Sequence, residues 1–189
     1  GKSTFFKILR NELHYGGSIS GLPEFVSFPF EVEDEYELGG DVIRAIAPNS
    51  EDWEIRREMN YLELDEDTLY KPYCILSGGE KTKLQLISLF LDDVSFPLID
   101  EPTNHLDTHG REVTANYLKR KSGFILISHD RNFLDLSTDH TMAINKTNIE
   151  ISPVNFSTWW EQNEIKEKYE LAQNDKLKKD IARLKEAEK

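Results

Sequence analysis

Two short apolar segments constrain the fold of this chain most strongly, because each is too short for a buried helix and is bounded by turn signals. Phe96–Ile99 lies between two segments in which apolar residues recur at helical spacing, and Phe124–Ile127 follows the second of these segments. Strands that are apolar on both faces are typical of parallel sheets covered by helices. Alternation of such strands with helices predicts an α/β protein with a largely parallel sheet.

The other segments extend this pattern and then replace it. Phe25–Phe28 is predicted as a further strand, terminated by Pro29. Residues 161–189 contain no Gly or Pro and are predicted as one long helix. The other predicted helices are Ser3–Glu12, Asp41–Ala47, Glu51–Leu62 with Ser50 as its N-cap, Glu80–Leu91 and Thr108–Arg120, and the predicted hairpin strands are Met142–Ile144 and Ile149–Ile151.

Composition excludes several classes of protein. A chain of 189 residues predicts one domain with an appendage. No apolar run approaches the roughly 18 residues of a spanning helix, so no membrane span is expected. The single cysteine, Cys74, excludes an internal disulfide and fits a reducing, cytoplasmic location. The net charge of −12 lies within residues 1–160, because 8 acidic and 8 basic residues balance in 161–189. An acidic surface of this kind disfavours non-specific nucleic-acid binding.

The first four residues, Gly1-Lys2-Ser3-Thr4, match the end of a phosphate-binding loop that opens a helix. In such loops, backbone N–H groups at the helix N-terminus surround the phosphates, the Lys reaches the β- and γ-phosphates, and the hydroxyl binds Mg²⁺. The Gly-rich half of the motif is not in the sequence, and we expect it to precede Gly1. Alone, a Gly-Lys-Ser sequence arises equally well by chance.

Acidic and imidazole side chains follow the two apolar strands. Asp100 and Glu101 come directly after one strand, and His129 follows the other. Because the carboxyl edge of a parallel sheet is where ligands bind, Asp100 is a candidate Mg²⁺ ligand and Glu101 a candidate base that deprotonates water. A neutral His129 there could hydrogen-bond a phosphate or the attacking water. The alternative is a strand end that carries only solvated polar residues.

The segment Ser77-Gly78-Gly79-Glu80 has two compatible interpretations. Ser followed three residues later by Glu is a capping box that starts a helix. The two glycines would also expose backbone N–H groups at that helix start, which forms an anion site.

His105 and His109 are four residues apart, with Asp107 between them. This spacing allows a metal site, but no third ligand can be assigned. We therefore consider that site a poor hypothesis.

Together these segments resemble the ATP-binding cassette (ABC) family: the phosphate loop, Leu76-Ser-Gly-Gly-Glu80, Phe96-Pro-Leu-Ile-Asp-Glu101 and His129 occur in the family's order. Glu101-Pro-Thr-Asn-His-Leu-Asp107 and Ser128-His-Asp-Arg-Asn-Phe-Leu134 look like the soluble ABC-F subfamily, in which a helical linker joins two cassettes that act on ribosomes. Gly123-Phe-Ile-Leu-Ile-Ser-His129, together with Val154-Asn-Phe-Ser157 before a charged helix, resembles its Lsa-type antibiotic-resistance branch.

The resemblance implies ATP and Mg²⁺ as cofactors and a P-loop NTPase fold with a helical subdomain over about residues 36–92. It implies that Gly1, Lys2, Ser3 and Thr4 bind phosphates, that Ser3 and Asp100 hold Mg²⁺, that Glu101 is the general base and that His129 is the switch histidine. Ser77, Gly78 and Gly79 would contact the nucleotide of a second cassette, and Asp107 would lie in the loop that links the two sites.

The resemblance also implies a domain organisation and partners. Residues 1–156 would be a first cassette truncated at its N-terminus, and residues 157–189 would begin the linker, whose partner helix lies beyond Lys189. The expected partners are the second cassette of the same polypeptide and, through the linker, the ribosome with its 23S rRNA and P-site tRNA. The family function is ribosome binding with resistance to lincosamides, streptogramin A and pleuromutilins, where ATP hydrolysis drives release. The isolated chain is expected to be inactive.

One position departs from the family pattern. A Gln that binds Mg²⁺ and water is expected where the first inner strand ends, and Phe30 occupies that place. Phe has no oxygen ligand to offer, although the adjacent Glu31 could substitute for the Gln.

Two other functions remain as alternatives. The ATPase subunit of a membrane ABC transporter shares the motifs but usually ends near the cassette, without a long charged helix. A chromosome-organising or DNA-repair ATPase places its coiled coil between the phosphate loop and the Ser-Gly-Gly segment. Only about 75 residues separate those motifs here, which is too few for that layout.

Overall fold

The computed structural model describes residues 2–145 and 147–187, with side chains described up to residue 173 apart from that of residue 170. Gly1, predicted to bind phosphate, lies outside the described residues. The chain divides into two compact units, residues 1–138 and 139–189.

The centre of the first unit is a three-stranded parallel sheet, formed by β1 (Phe25–Phe28), β2 (Phe96–Asp100) and β3 (Ile125–Ile127). Its order is β1-β2-β3, and β2 is the central strand. The register pairs Phe28 with Ile99 and Asp100 with Ile127, so the strands end close to one level. The predicted parallel α/β architecture is confirmed.

Helices and turns account for most of the rest of this unit. The helices are α1 (Lys2–Leu9), α2 (Gly39–Ile46), α3 (Asp52–Tyr61), α4 (Gly78–Leu91), α5 (Thr108–Lys119) and α6 (Arg131–Ser137), with 3-10 turns at Glu66–Tyr70 and Tyr73–Ile75. The strands and longer helices lie within a few residues of the predicted ranges. The short helix α6 and the 3-10 turns were not predicted.

Helices cover both faces of the sheet, and the strand residues divide between two clusters according to strand alternation. On one face, Leu98 and Ile127 pack with Phe6 of α1. On the other, Phe28 and Ile99 join the larger cluster, to which α2, α3, α4 and α5 contribute buried apolar side chains. Burial on both faces explains why the strands are apolar runs without alternation.

The predicted N-cap of α3 is wrong. Glu51, not Ser50, is the N-cap, and its backbone N–H donates to Glu54 Oε2 at 3.1 Å. The Ser50 hydroxyl donates instead to the carbonyl oxygen of Ala47 at 2.8 Å. Ser50 thus stabilises the end of α2. Because only a few residues separate α2 from α3, the local sequence pattern does not show which of the two helices Ser50 caps.

A buried ion pair lies between α3 and the end of α5. Glu58 is 1% exposed, and its carboxylate accepts hydrogen bonds from Lys121 and Arg57. Lys121 also lies over the ring of Tyr117, with Nζ 4.8 Å from the ring centroid. Because an unpaired charge would be strongly unfavourable at this depth, the pair holds the two helices in one arrangement.

The second unit contains an antiparallel hairpin and a long helix. β4 (Thr141–Ile144) pairs with β5 (Ile149–Ser152), which confirms the predicted hairpin. α7 extends over Phe156–Ala187, and the rings of Phe156, Trp159 and Trp160 pack together in its first turns. Within the described residues, no helix combines the length and apolar character needed to cross a membrane. The proposed cassette boundary at residue 156 stays a prediction.

Candidate functional site

The predicted acidic residues lie at the carboxyl edge of the sheet. Asp100 is the last residue of β2, and Glu101 leaves the strand while its backbone N–H donates to the carbonyl oxygen of Ile127 at 2.9 Å. This bond extends the pairing between β2 and β3 by one step. It places Glu101 directly beside the segment of Ser128 and His129 that follows β3.

Glu101 combines unusual backbone and side-chain features. Its φ angle is +52°, in the left-handed region that costs a residue with a side chain about 1 kcal/mol or more. Its Oε2 accepts a hydrogen bond from the backbone N–H of His129 at 3.3 Å. Its Oε1 is buried and has no hydrogen-bond partner among the described residues. An acceptor in that condition favours a water or ligand hydrogen bonded to it.

The imidazole of His129 lies next to this carboxylate. Its Nε2 is 3.7 Å from Glu101 Oε1, which is beyond hydrogen-bond distance, and the side chain is 82% exposed. The structure therefore brings together Glu101 and His129, as predicted, with the imidazole open to solvent.

The first helix reaches the same edge. Lys2, Ser3 and Thr4 form the exposed N-terminal turn of α1. The hydroxyl of Ser3 donates a hydrogen bond to Asp100 Oδ2 at 3.1 Å, across 97 positions of sequence. The two predicted Mg²⁺ ligands are thus adjacent, at the start of a helix whose free N–H groups favour anions.

These side chains fit Mg²⁺ in chemistry and in number. Ser3 and Asp100 offer hard oxygen donors, and Mg²⁺ is usually bound by one or two protein oxygens, with water and phosphate completing its shell. Among residues 2–145 and 147–187, no group of three or more His, Cys, Asp and Glu forms a metal cage. The arrangement suits an ion that arrives with a nucleotide.

The start of α4 confirms the predicted capping box. The backbone N–H of Glu80 donates to Ser77 Oγ at 3.2 Å, and the backbone N–H of Ser77 donates to Glu80 Oε2 at 2.7 Å. Hydrogen bonds from Ser77 lower the pKa of Glu80, which keeps its carboxylate charged. The anion-site interpretation of Ser77, Gly78 and Gly79 stays a prediction.

Gly78 also allows a close contact with the loop after β2. A methyl group at Gly78 would lie 2.9 Å from Cβ of His105, so any larger residue would push this loop away from α4. The other histidine of the candidate metal pair, His109, has its own partner, since its Nε2 lies 2.7 Å from Glu63 Oε2.

The predicted residues fall into two groups. Asp107 is the N-cap of α5, where its carboxylate accepts from the Gly110 N–H at 2.7 Å. Among the described residues, no hydrogen bond or ion pair joins Ser77, Gly78, Gly79 or Asp107 to Lys2, Ser3, Asp100 or Glu101.

At the position where the family has a Gln, Phe30 packs against the core, and its backbone is held by Gln85 of α4. Gln85 Nε2 donates to the Phe30 carbonyl at 2.8 Å, and the Phe30 N–H donates to Gln85 Oε1 at 3.4 Å. Gln85 Nε2 also donates to the Tyr73 hydroxyl at 2.9 Å. The only signal for this contact was an amide within the apolar stretch of α4.

Sequence reasoning also missed Arg111 and Asp130. Arg111 Nη1 donates to Asp130 Oδ2 at 3.2 Å, which joins α5 to the residue after His129. The signal for Asp130 was an acid directly before a helix, since it is the N-cap of α6. Nothing local to Arg111 indicated its partner.

Comparison with known proteins extends these observations. No protein-family profile matches the chain. The putative ATP-binding protein YdiF of Bacillus subtilis is 33% identical over 156 residues, which cover 79% of this chain and 24% of the relative. The uncharacterized ABC transporter ATP-binding protein YfmM of the same organism is 31% identical over 145 residues, 74% of this chain and 28% of the relative. The ribosome protection protein VmlR, also of Bacillus subtilis, is 28% identical over 160 residues, which cover 79% of this chain and 28% of the relative.

A solved structure shares the fold. A putative metal-chelate type ABC transporter in an inward-facing conformation superposes with a TM-score of 0.61 at 20% identity, covering 81% of this chain and 68% of that chain. The chain spans about a quarter of the length of the sequence relatives named above. The α/β fold, the sheet-edge arrangement and these similarities together show that the chain belongs to the ABC ATP-binding protein family.

Proposed function

We propose that this chain is an ATP-hydrolysing cassette of a soluble, cytoplasmic ABC-F protein. The observation that carries the ATPase proposal is the buried Glu101 Oε1, which has no hydrogen-bond partner in the described part of the chain and lies beside the edge where Ser3 contacts Asp100. A carboxylate oxygen in that condition is suited to accept a proton from water.

The remaining residues have complementary roles in this proposal. Lys2, Ser3 and Thr4 bind the phosphates, and Ser3 with Asp100 holds Mg²⁺, which neutralises charge on the phosphates when bound. Glu101 is the general base, and the exposed His129 contacts the γ-phosphate. Gly1 belongs to the same phosphate loop.

A second cassette completes the site. Ser77, Gly78, Gly79 and Asp107 are separate from the phosphate-binding group, and we assign them to the nucleotide held by that partner. The 189-residue chain alone is therefore a poor ATPase.

We further assign the protein to ribosome binding, with hydrolysis driving release. The similarity to VmlR, named a ribosome protection protein, supports this assignment. The long helix α7 supports it too, as the first arm of a linker toward 23S rRNA and P-site tRNA. Resistance to lincosamides, streptogramin A and pleuromutilins, as in the Lsa-type branch, is the specific function we propose.

The test uses the gene product that carries this chain, with Glu101→Gln to hold the ATP-bound state. Sedimentation with purified ribosomes should retain Glu101→Gln in the presence of ATP and the wild type more weakly. Expression of the wild-type gene in a susceptible strain should raise the inhibitory concentration of at least one of the three drug classes. Failure to bind ribosomes in any nucleotide state overturns the ribosome assignment.

The alternative is the ATPase subunit of a membrane transporter, which the name of the relative YfmM keeps open. The same preparation distinguishes the two. Fractionation of cells should recover the protein with ribosomes and soluble material. ATP-independent recovery with membranes, and copurification of a membrane-spanning partner, would favour the transporter.

A further inference from the structure

One guanidinium group joins the two loops that carry the proposed site residues. Arg111, in the first turns of α5, donates from Nε to the carbonyl oxygen of Leu106 at 3.2 Å. It donates from Nη1 to Asp130 Oδ2, also at 3.2 Å. Leu106 directly precedes Asp107 in the loop after β2, and Asp130 directly follows His129 in the loop after β3.

Asp130 continues this connection toward Glu101. Its Oδ1 caps α6 by accepting from the Phe133 N–H at 3.1 Å, and its own N–H donates to Ser128 Oγ at 3.1 Å. The neighbouring His129 N–H donates to Glu101 Oε2 at 3.3 Å. The Leu106 carbonyl is therefore connected to the Glu101 carboxylate. The connection runs through the side chains of Arg111 and Asp130 and then through the peptide unit that joins Asp130 to His129.

The small stabilisation expected from the Arg111–Asp130 ion pair argues that its role is to hold geometry. The side chains of Arg111 and Asp130 are 45% and 25% exposed. Ion pairs this close to solvent add at most about 1 kcal/mol to stability. A planar guanidinium, however, holds two acceptors at fixed directions, which a lysine ammonium on a flexible stem does not.

We propose that Arg111 is a positioning residue that couples the loop of Asp107 to the loop of His129, and through it to Glu101. A partner cassette that contacts the Asp107 loop would then set the position of Glu101 and His129 for hydrolysis. The proposal rests on the proposed ATPase function and names a route by which partner contact regulates that site.

The test measures steady-state ATPase of the gene product that carries this chain, for Arg111→Gln, Arg111→Lys, Asp130→Asn and the double variant Arg111→Gln/Asp130→Asn. Asn is as good an N-cap as Asp, so Asp130→Asn keeps α6 capped through Oδ1 and replaces the Oδ2 that accepts from Arg111 by an amide nitrogen, which removes both the charge and the acceptor. The matched control is Arg56→Gln, which removes an arginine of the same 45% exposure from its ion pair with Glu66, at the 3-10 turn Glu66–Tyr70.

We expect kcat to fall about tenfold in Arg111→Gln and Asp130→Asn, as for a small misplacement of catalytic groups, with KM for ATP and the melting temperature nearly unchanged. The double variant should be no slower than either single variant, because both break one path. The kcat of Arg111→Lys should be close to that of Arg111→Gln, and the kcat of the control Arg56→Gln should be close to that of the wild type.

Wild-type kcat in both single variants would overturn the proposal, as would full rescue by Arg111→Lys or additive losses in the double variant. A wild-type protein that neither binds nor hydrolyses ATP would instead overturn the proposed function itself. The two failures are distinguishable, because the second is seen before any variant is measured.

Discussion

The hydroxyl of Ser3 lies 3.1 Å from Asp100 Oδ2, although 97 positions separate the two residues in sequence. The contact exists because α1 packs through Phe6 on the face of the sheet that carries Leu98, two residues before Asp100. Packing of an apolar helix face thus places a helix N-terminus beside the acid that ends the central strand.

The first prediction concerns Mg²⁺. Asp100→Asn should raise the Mg²⁺ concentration needed for ATP binding about tenfold, because a neutral amide is a weaker ligand than a carboxylate, and about 1.4 kcal/mol corresponds to that factor. Ser3→Ala should also raise the Mg²⁺ concentration that ATP binding requires. Titration of Mg²⁺ at fixed nucleotide measures the effect, with the exposed Ser20→Ala as control. Unchanged Mg²⁺ dependence in both site variants would contradict the assignment.

The second prediction concerns Glu101. Glu101→Gln should keep ATP affinity within about twofold and lower steady-state hydrolysis by about 10²–10⁴-fold, the usual contribution of a general base. The amide keeps the size of the side chain and can still accept from the His129 N–H, so the loop geometry survives. Binding and turnover are measured on the same preparation of the gene product. Turnover within about twofold of wild type would remove Glu101 from this role.

The third prediction concerns the Gln85 amide. Gln85→Leu leaves the N–H and carbonyl of Phe30 without their partner in a part-buried site, which should cost about 1–3 kcal/mol in free energy of unfolding. Urea unfolding measures the cost. The control, Gln162→Leu on the exposed surface of α7, should stay within about 0.5 kcal/mol of wild type. Equal stability of the two variants would show that water replaces the amide.

The fourth prediction concerns acid stability. Burial, the largest single effect, raises the pKa of Glu58, but the interactions with Lys121, Tyr117 and Arg57 together outweigh burial, so the pKa lies below the ordinary value of 4.5. An acid with a lowered pKa stabilises the folded state above its unfolded pKa, and this contribution is lost as the pH falls through the folded pKa. The free energy of unfolding should therefore decline below pH 4.5 partly through Glu58.

Glu58→Gln should flatten that decline and cost about 3–5 kcal/mol at pH 7, because it leaves Lys121 without its buried partner. The control is Glu66→Gln, whose exposed pair with Arg56 should contribute at most about 1 kcal/mol. Urea unfolding at pH 3.5 to 7 gives both quantities. An unchanged slope in Glu58→Gln would show that other acids govern the acid stability.

The sequence was sufficient to place the residues that directly follow the ends of strands. Asp100, Glu101 and His129 meet because the carboxyl ends of parallel strands share one edge, and the apolar runs identified those strands. The capping box of Ser77 and Glu80 was visible for a different reason, since both partners lie within one helical turn. In both cases a local sequence pattern is enough to predict where the residues lie.

Contacts between residues that are distant in sequence were not predictable in this way. The Gln85 amide meets the Phe30 backbone across 55 positions, and Arg111 meets the Asp130 side chain across 19, in each case because packing of separate segments brings the residues together. The φ angle of +52° at Glu101 accompanies a backbone hydrogen bond to β3, and the residue type gives no indication of it. Such features depend on tertiary packing, to which periodicity and capping rules are blind.

The last prediction concerns the length of α7, whose 32 residues extend about 48 Å at 1.5 Å per residue. In the gene product, deletion of residues 174–180 removes about two turns and keeps the helix face in phase. Under the proposed ribosome function, it should abolish drug protection in cells while ATP affinity stays within about twofold, because the shortened arm would not reach the ribosome. Inhibitory concentrations and nucleotide titrations provide the two readouts.

The matched control replaces the same seven residues by a helix-forming sequence of equal length and charge, which separates the length of the arm from its contacts. Full protection by the deletion variant would contradict the proposed reach and favour the transporter alternative. Loss of ATP affinity together with protection would show that α7 stabilises the cassette, so that the boundary at residue 156 would be wrong. Loss of protection in both variants, with ATP binding intact, would show that the residues of the arm contact the ribosome directly.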